Sequence, residues 1–83
     1  MRIERKLIVT RKDGIHAKSA SEIVDGLRDY DCSVQFISKD KKVNAKSTLQ
    51  LIDLAVKRGA EIHVILDGED ADDALVFIQW FLK

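Results

Sequence analysis

The chain predicts an α+β fold: an open-faced β-sandwich, a four-stranded antiparallel sheet with three helices on one face, in the order β-α-β-β-α-β-α. Three observations lead there. Stretches at 2–10, 33–38 and 61–67 alternate apolar and polar residues, as strands with one dry and one wet face do. Three other stretches space their apolar residues three or four apart, as helices do. Half-polar strands favour antiparallel pairing, which leaves the dry face for the helices to cover.

Arg2 to Thr10 gives the first strand, with Ile3, Leu7 and Val9 on one face and Arg2, Glu4 and Lys6 on the other. Lys12-Asp13-Gly14 supplies turn chemistry. From about Ala17 to Arg28, residues Ala20, Ile23, Val24 and Leu27 form one helical stripe, with Glu22, Asp25 and Arg28 outside it. Gly26 weakens this helix by roughly 1 kcal/mol relative to Ala, so packing must hold it. Val34 and Phe36 alternate with Ser33 and Gln35 in a second strand, to about Ser38. Lys39-Asp40-Lys41-Lys42 is expected as a solvated hairpin connection, and Val43 as part of a short third strand.

Asn44-Ala45-Lys46-Ser47 leads into a short second helix anchored by Leu51 and Leu54. Lys57, Arg58 and Gly59 provide its helix-end chemistry. Ile62, Val64 and Leu66 alternate with Glu61, His63 and Asp67 in the fourth strand, which puts His63 on the wet face. The last helix starts on Asp70, Asp72 and Asp73, which complement its dipole. Its inner stripe is Ala71, Ala74, Leu75, Ile78, Phe81 and Leu82, with Phe77 and Trp80 expected at the core edge.

Eighty-three residues fit a single domain, 1–83, with one modest core. Fourteen Lys and Arg balance fourteen Asp and Glu, which argues against a general nucleic-acid binder. No apolar run is long enough to span a bilayer, and the N-terminal residues lack a signal-peptide core, so a cytoplasmic protein without membrane insertion is expected. Cys32 is the one cysteine, so no internal disulfide can form; Asp31-Cys32-Ser33 has the look of a turn, with Cys32 as a small filler.

The most informative stretch is Asp13-Gly14-Ile15-His16-Ala17-Lys18-Ser19-Ala20, where a strand pattern gives way to a helix pattern. Unpaired N–H groups and the positive dipole end make such a junction an anion site. Lys18 adds positive charge, and a neutral imidazole is nucleophilic near neutral pH. The combination points to a phosphohistidine at His16; the plain alternative is a solvated surface histidine. The four glycines form no phosphate-binding loop, and the two histidines and one cysteine have no metal-ligand spacing. Nothing in the sequence places an acid behind His16, so no catalytic triad can be argued. A self-contained enzyme is not expected, nor is a cofactor or metal.

Gly14-Ile15-His16-Ala17-Lys18-Ser19-Ala20 resembles the active-site signature of the histidine-containing phosphocarrier protein (HPr) family of the bacterial phosphotransferase system. Asn44-Ala45-Lys46-Ser47, with Leu51, Leu54 and Gly59-Ala60-Glu61-Ile62, resembles its second signature, and the similarity runs through all 83 residues. It implies phosphorylation of His16 on Nδ1 by phospho-enzyme I and transfer to enzyme IIA proteins, with Lys18 stabilising the phosphate. It also implies that Ser47 is the regulatory serine modified by an HPr serine kinase/phosphorylase. Thr48, Leu49 and Ile52, lying off the inward Leu51/Leu54 face, would form the apolar part of the partner-docking surface, with Arg28 as its basic residue. A monomer is expected.

The chain departs from the family pattern where Lys18 and Ser19 replace the usual Arg and Pro. Lys is a point charge where Arg grips phosphate with a fork, and Ser19 exchanges a fixed φ for local hydrogen bonding. Glu22 and Asp25 also stand where relatives tend to be more basic. The alternatives are an HPr-like regulatory binding protein controlled through Ser47 with His16 silent, and a generic small α+β interaction or ligand-binding domain.

Overall fold

The computed structural model describes residues 1–83, and the alternating stretches do pair into one sheet. Its elements are β1 (Arg2–Ile8), α1 (Ala17–Leu27), β2 (Cys32–Ser38), β3 (Lys41–Asn44), α2 (Thr48–Leu54), β4 (Glu61–Gly68) and α3 (Ala71–Phe81). The strand order is β1-β4-β2-β3, with every neighbouring pair antiparallel. β4 therefore slots between β1 and β2, facing Leu7 with Ile62 and Phe36 with Val64.

Period-two alternation sends Val34, Phe36, Ile62, Val64 and Leu66 to one side of the sheet, all fully buried. Ala20, Ile23 and Leu27 of α1, Leu51 and Leu54 of α2, and Ala71, Ala74, Leu75, Ile78 and Phe81 of α3 join them in one cluster. All three helices thus cover the same face. The other face stays wet: His63 is half-buried there, its Nε2 3.4 Å from Glu4 Oε1. No helix is long and apolar enough to cross a membrane.

Gly26 is explained by packing. A Cβ there would collide with the Phe77 ring, which also packs against Tyr30 and Phe81. The helix gives up propensity so that α3 can approach α1 closely. The Asp70 carboxylate does not cap α3 but accepts the Asp31 N–H at 2.6 Å, tying the two loops together; Asp72 and Asp73 remain in the first turn.

Several boundaries differ from expectation. Cys32 is not in a turn but opens β2, opposite Gly68 and buried, because Tyr30 and Asp31 complete the reversal before it. Lys41 and Lys42 belong to β3, since Lys39-Asp40 alone closes the hairpin between paired Ser38 and Lys41. α2 ends at Leu54, not near Gly59, because Ala55 turns left-handed (φ 57°) as its C-cap. Lys57 and Arg58 therefore lie outside the helix, and buried Val56 carries the chain back toward β4. β1 stops at Ile8, after which the Thr10 and Arg11 N–H groups donate to Leu82 O, both at 2.9 Å. Trp80 is not at the core edge but 70% exposed, since the inner stripe of α3 turns it away from the sheet.

Candidate functional site

The loop between β1 and α1 is held from both sides. Arg11 lays its guanidinium over the Phe81 ring, 4.3 Å from the centroid, and donates to Phe81 O. Gly14 adopts φ 64°, and a Cβ there would stand 2.5 Å from Val56 O and 2.9 Å from Lys57 Cα. Only glycine combines that φ with so close a backbone approach. The next residue, buried Ile15, donates its N–H to Val56 O at 2.9 Å. The segment after α2 thereby fixes where His16 begins.

His16 is the N-cap of α1, with extended backbone (φ −127°, ψ −171°). Its Nδ1 accepts the Lys18 N–H at 3.3 Å. Ser19, fully buried, answers in the other direction: its Oγ accepts the His16 N–H at 2.8 Å and lies 3.2 Å from His16 O. The two bonds make a capping box with an imidazole in place of the usual hydroxyl. The Lys18 N–H to Nδ1 bond also assigns the tautomer. A nitrogen that accepts an N–H carries a lone pair, so a neutral ring bears its proton on Nε2. Nε2 lies 3.9 Å from Asp13 Oδ2, and both side chains stay accessible, at 47% and 66%.

The electrostatics favour an anion beside Nδ1. The first-turn amides of α1 have no intrahelical acceptor by position, and no acidic residue occupies that turn to neutralise the dipole. Lys18 is exposed and makes no ion pair. The Nδ1 contact is long for a hydrogen bond and therefore easily surrendered. A group attached at Nδ1 would inherit the amide that the ring now caps. The arrangement is chemically competent to accept a phosphoryl group and to stabilise its oxygens.

Ser47 caps α2, its Oγ accepting the Gln50 N–H at 3.4 Å. The approach is braced by Asn44, whose Oδ1 accepts the Lys46 N–H at 2.9 Å, and by Lys46 Nζ donating to Tyr30 O at 2.8 Å. On α2, Leu49 is 79% and Ile52 39% exposed, while Thr48 is half-buried. Arg28 is not brought to the histidine. It is the C-cap at the far end of α1, about 16 Å along an eleven-residue helix, and pairs with Asp25 at 3.0 Å.

Two contributors escaped the sequence reading in part. Asp13 stands beside His16, where nothing in the sequence placed an acid; its position three residues earlier across a glycine turn is the only signal of it. Ser19 was expected to hydrogen-bond locally, but its complete burial and its reciprocal partner come from the loop's three-dimensional path.

The strand order and the histidine that opens the first helix place the chain among small open-faced α+β phosphocarrier domains. A family model described as "PTS HPr component phosphorylation site" matches residues 3–83. The phosphocarrier protein HPr of Xylella fastidiosa (strain 9a5c) is 36% identical over 73 residues, which are 88% of this chain and 82% of that protein. The HPr-like protein Crh of Bacillus subtilis is 40% identical over 74 residues, 88% of this chain and 86% of that one. The crystal structure of HPr from Bacillus anthracis superimposes with a TM-score of 0.93 at 26% identity, covering 99% of this chain and 98% of that chain. The chain belongs to the HPr family of the phosphotransferase system.

Proposed function

We propose that this chain carries a phosphoryl group on His16, taking it from phospho-enzyme I and delivering it to enzyme IIA proteins. It would act as a substrate of those enzymes in the cytoplasm rather than as an enzyme itself. The observation that carries this reading is a half-exposed His16 whose Nδ1 accepts a first-turn amide at a helix N-terminus with no acidic residue in its first turn. In the transfer, the Nδ1 lone pair forms a bond to phosphorus while the P–N bond to the donor histidine breaks in line. The proton remains on Nε2, beside Asp13, which would offset the charge on the ring. Lys18 and the first-turn amides would stabilise the phosphoryl oxygens. Thr48, Leu49 and Ile52 would meet the partners, and Ser47 would be the site of an ATP-dependent HPr serine kinase/phosphorylase.

The test is incubation with phosphoenolpyruvate and a cognate enzyme I, followed by intact mass before and after acid. One acid-labile phosphoryl group, absent from His16→Ala, is the expected result. No uptake from a demonstrably active enzyme I would overturn it. The likeness to Crh, whose structure is described as that of a catabolite repression protein, favours a second reading in which Ser47 governs partner binding and His16 is silent. Acid-stable phosphate on Ser47 alone would select it.

A further inference from the structure

On the far side of α2 from its N-cap lies a cleft of about 360 Å³ that the phosphocarrier chemistry does not use. Leu54 and Val56, both buried, line it with Ala55 and Ala60 as its apolar part, and Ser38 and three lysines, Lys39, Lys41 and Lys57, as its polar part. Lys41 is committed: its Nζ donates to Asp53 O at 3.1 Å and pairs with the Asp53 carboxylate. Lys39 and Lys57 pair with no acid.

The backbone gives a second, independent pointer. Lys39 is the first residue of the two-residue hairpin loop and takes φ 57°, a position where glycine is the ordinary choice. Only one other non-glycine residue in the chain is left-handed, Ala55, and it borders the same cleft. A long cation retained at a glycine position is a conformational expense that the hairpin itself does not require. The negative end of the α2 dipole opposes an anion here, but it is short and Lys41 already covers the Asp53 carbonyl.

We propose that this cleft binds a small organic phosphate. The carbon skeleton would rest on Leu54 and Val56, and the phosphate dianion would lie between Lys39 and Lys57 with the Ser38 hydroxyl as a further donor. Two unpaired ammonium groups match a dianion better than a single carboxylate. The proposal does not depend on phosphorylation of His16.

The test titrates the isotope-labelled, unphosphorylated chain with glycerol 3-phosphate, and in parallel with glycerol and with inorganic phosphate, following amide chemical shifts. Saturable shifts are expected at 38–41 and 54–60 with glycerol 3-phosphate, weaker ones with inorganic phosphate, and none with glycerol. Lys57→Gln and Lys39→Gly should each weaken binding about fivefold. Lys39→Gly should also melt no lower than the parent, since glycine relaxes the turn. Shifts confined to 16–20, equal affinity for inorganic phosphate, or undiminished affinity in Lys57→Gln would each overturn the proposal.

Discussion

Ser19→Ala isolates the device that positions His16. Oγ of the fully buried Ser19 accepts the His16 N–H at 2.8 Å in a part-buried bond, so the substitution strands that donor and opens half of the capping box. Loss of a cap costs about 1 kcal/mol, within a range of roughly 0.5–2. Alanine returns up to about 0.5 kcal/mol of helix propensity. The net expectation is a destabilisation of about 0.5–1.5 kcal/mol, or a fall in Tm of some ~4–8 °C per kcal/mol for a domain of this size. Urea unfolding, with unchanged m, measures it. Phosphotransfer from enzyme I should slow severalfold without vanishing, because the imidazole still caps the helix through Nδ1. Ser19→Pro provides the comparison. Proline pre-sets φ near the helix start, but like alanine it strands the His16 N–H, and it also removes the Ser19 N–H that the capping box gives to the His16 side chain. It should therefore cost at least as much as alanine. A Ser19→Ala protein within about 0.2 kcal/mol of the parent and equally fast would refute the capping-box account.

Lys18→Arg should preserve or raise the transfer rate, since a guanidinium adds a bidentate grip where the ammonium is a point charge; a large drop would show that Lys18 does not hold the phosphate. Gly26→Ala should destabilise by about 1–3 kcal/mol despite the roughly 1 kcal/mol gained in propensity, because its methyl group meets the Phe77 ring; a more stable variant by thermal unfolding would count against that packing. Burial raises the Cys32 thiol above its ordinary value, with Asp70 and Asp31 adding to the effect and Lys46 opposing it. The unfolded thiol thus ionises first as pH rises, so stability is full below that pH and declines as pH climbs through the unfolded and then the folded value. Cys32→Ala should remove that alkaline decline in a pH series of urea unfolding curves.

The sheet and helices were legible because their apolar periods are strong: Ile62, Val64 and Leu66 could face only one way, and they are all fully buried. The end of α2 was not legible. Lys57, Arg58 and Gly59 have helix-ending chemistry, but the chain had already left the helix at Ala55, an exposed alanine in the left-handed C-cap conformation that its residue type does not announce. The histidine's setting at a helix start could be read from its neighbours. Local hydrogen bonding by Ser19 could be read as well, but its burial and the approach of Asp13 to the imidazole could not, since both depend on the path of the loop around Gly14. Trp80 shows the converse limit: it was expected at the core edge, whereas its position on α3 leaves it exposed.

Ser47 and His16 lie on elements joined by a short covalent and hydrogen-bonded path: α2 ends at Leu54, and Val56 O holds the Ile15 N–H next to His16. A shape change in α2 could travel along it. Ser47, however, already caps α2 through Oγ, and negative charge at that N-terminus strengthens the helix. A phosphate there would consolidate the existing conformation, so control should act through surface charge beside Leu49 and Ile52. Ser47→Asp is accordingly expected to keep the Tm unchanged or raise it slightly, while slowing phosphorylation of His16 by enzyme I. The slowing should shrink as ionic strength rises, since the screening length falls from about 10 Å at 0.1 M to about 3 Å at 1 M. A slowing that persists unchanged in high salt would mean that the signal runs through the Val56–Ile15 contact instead, and Val56→Ala would then alter it.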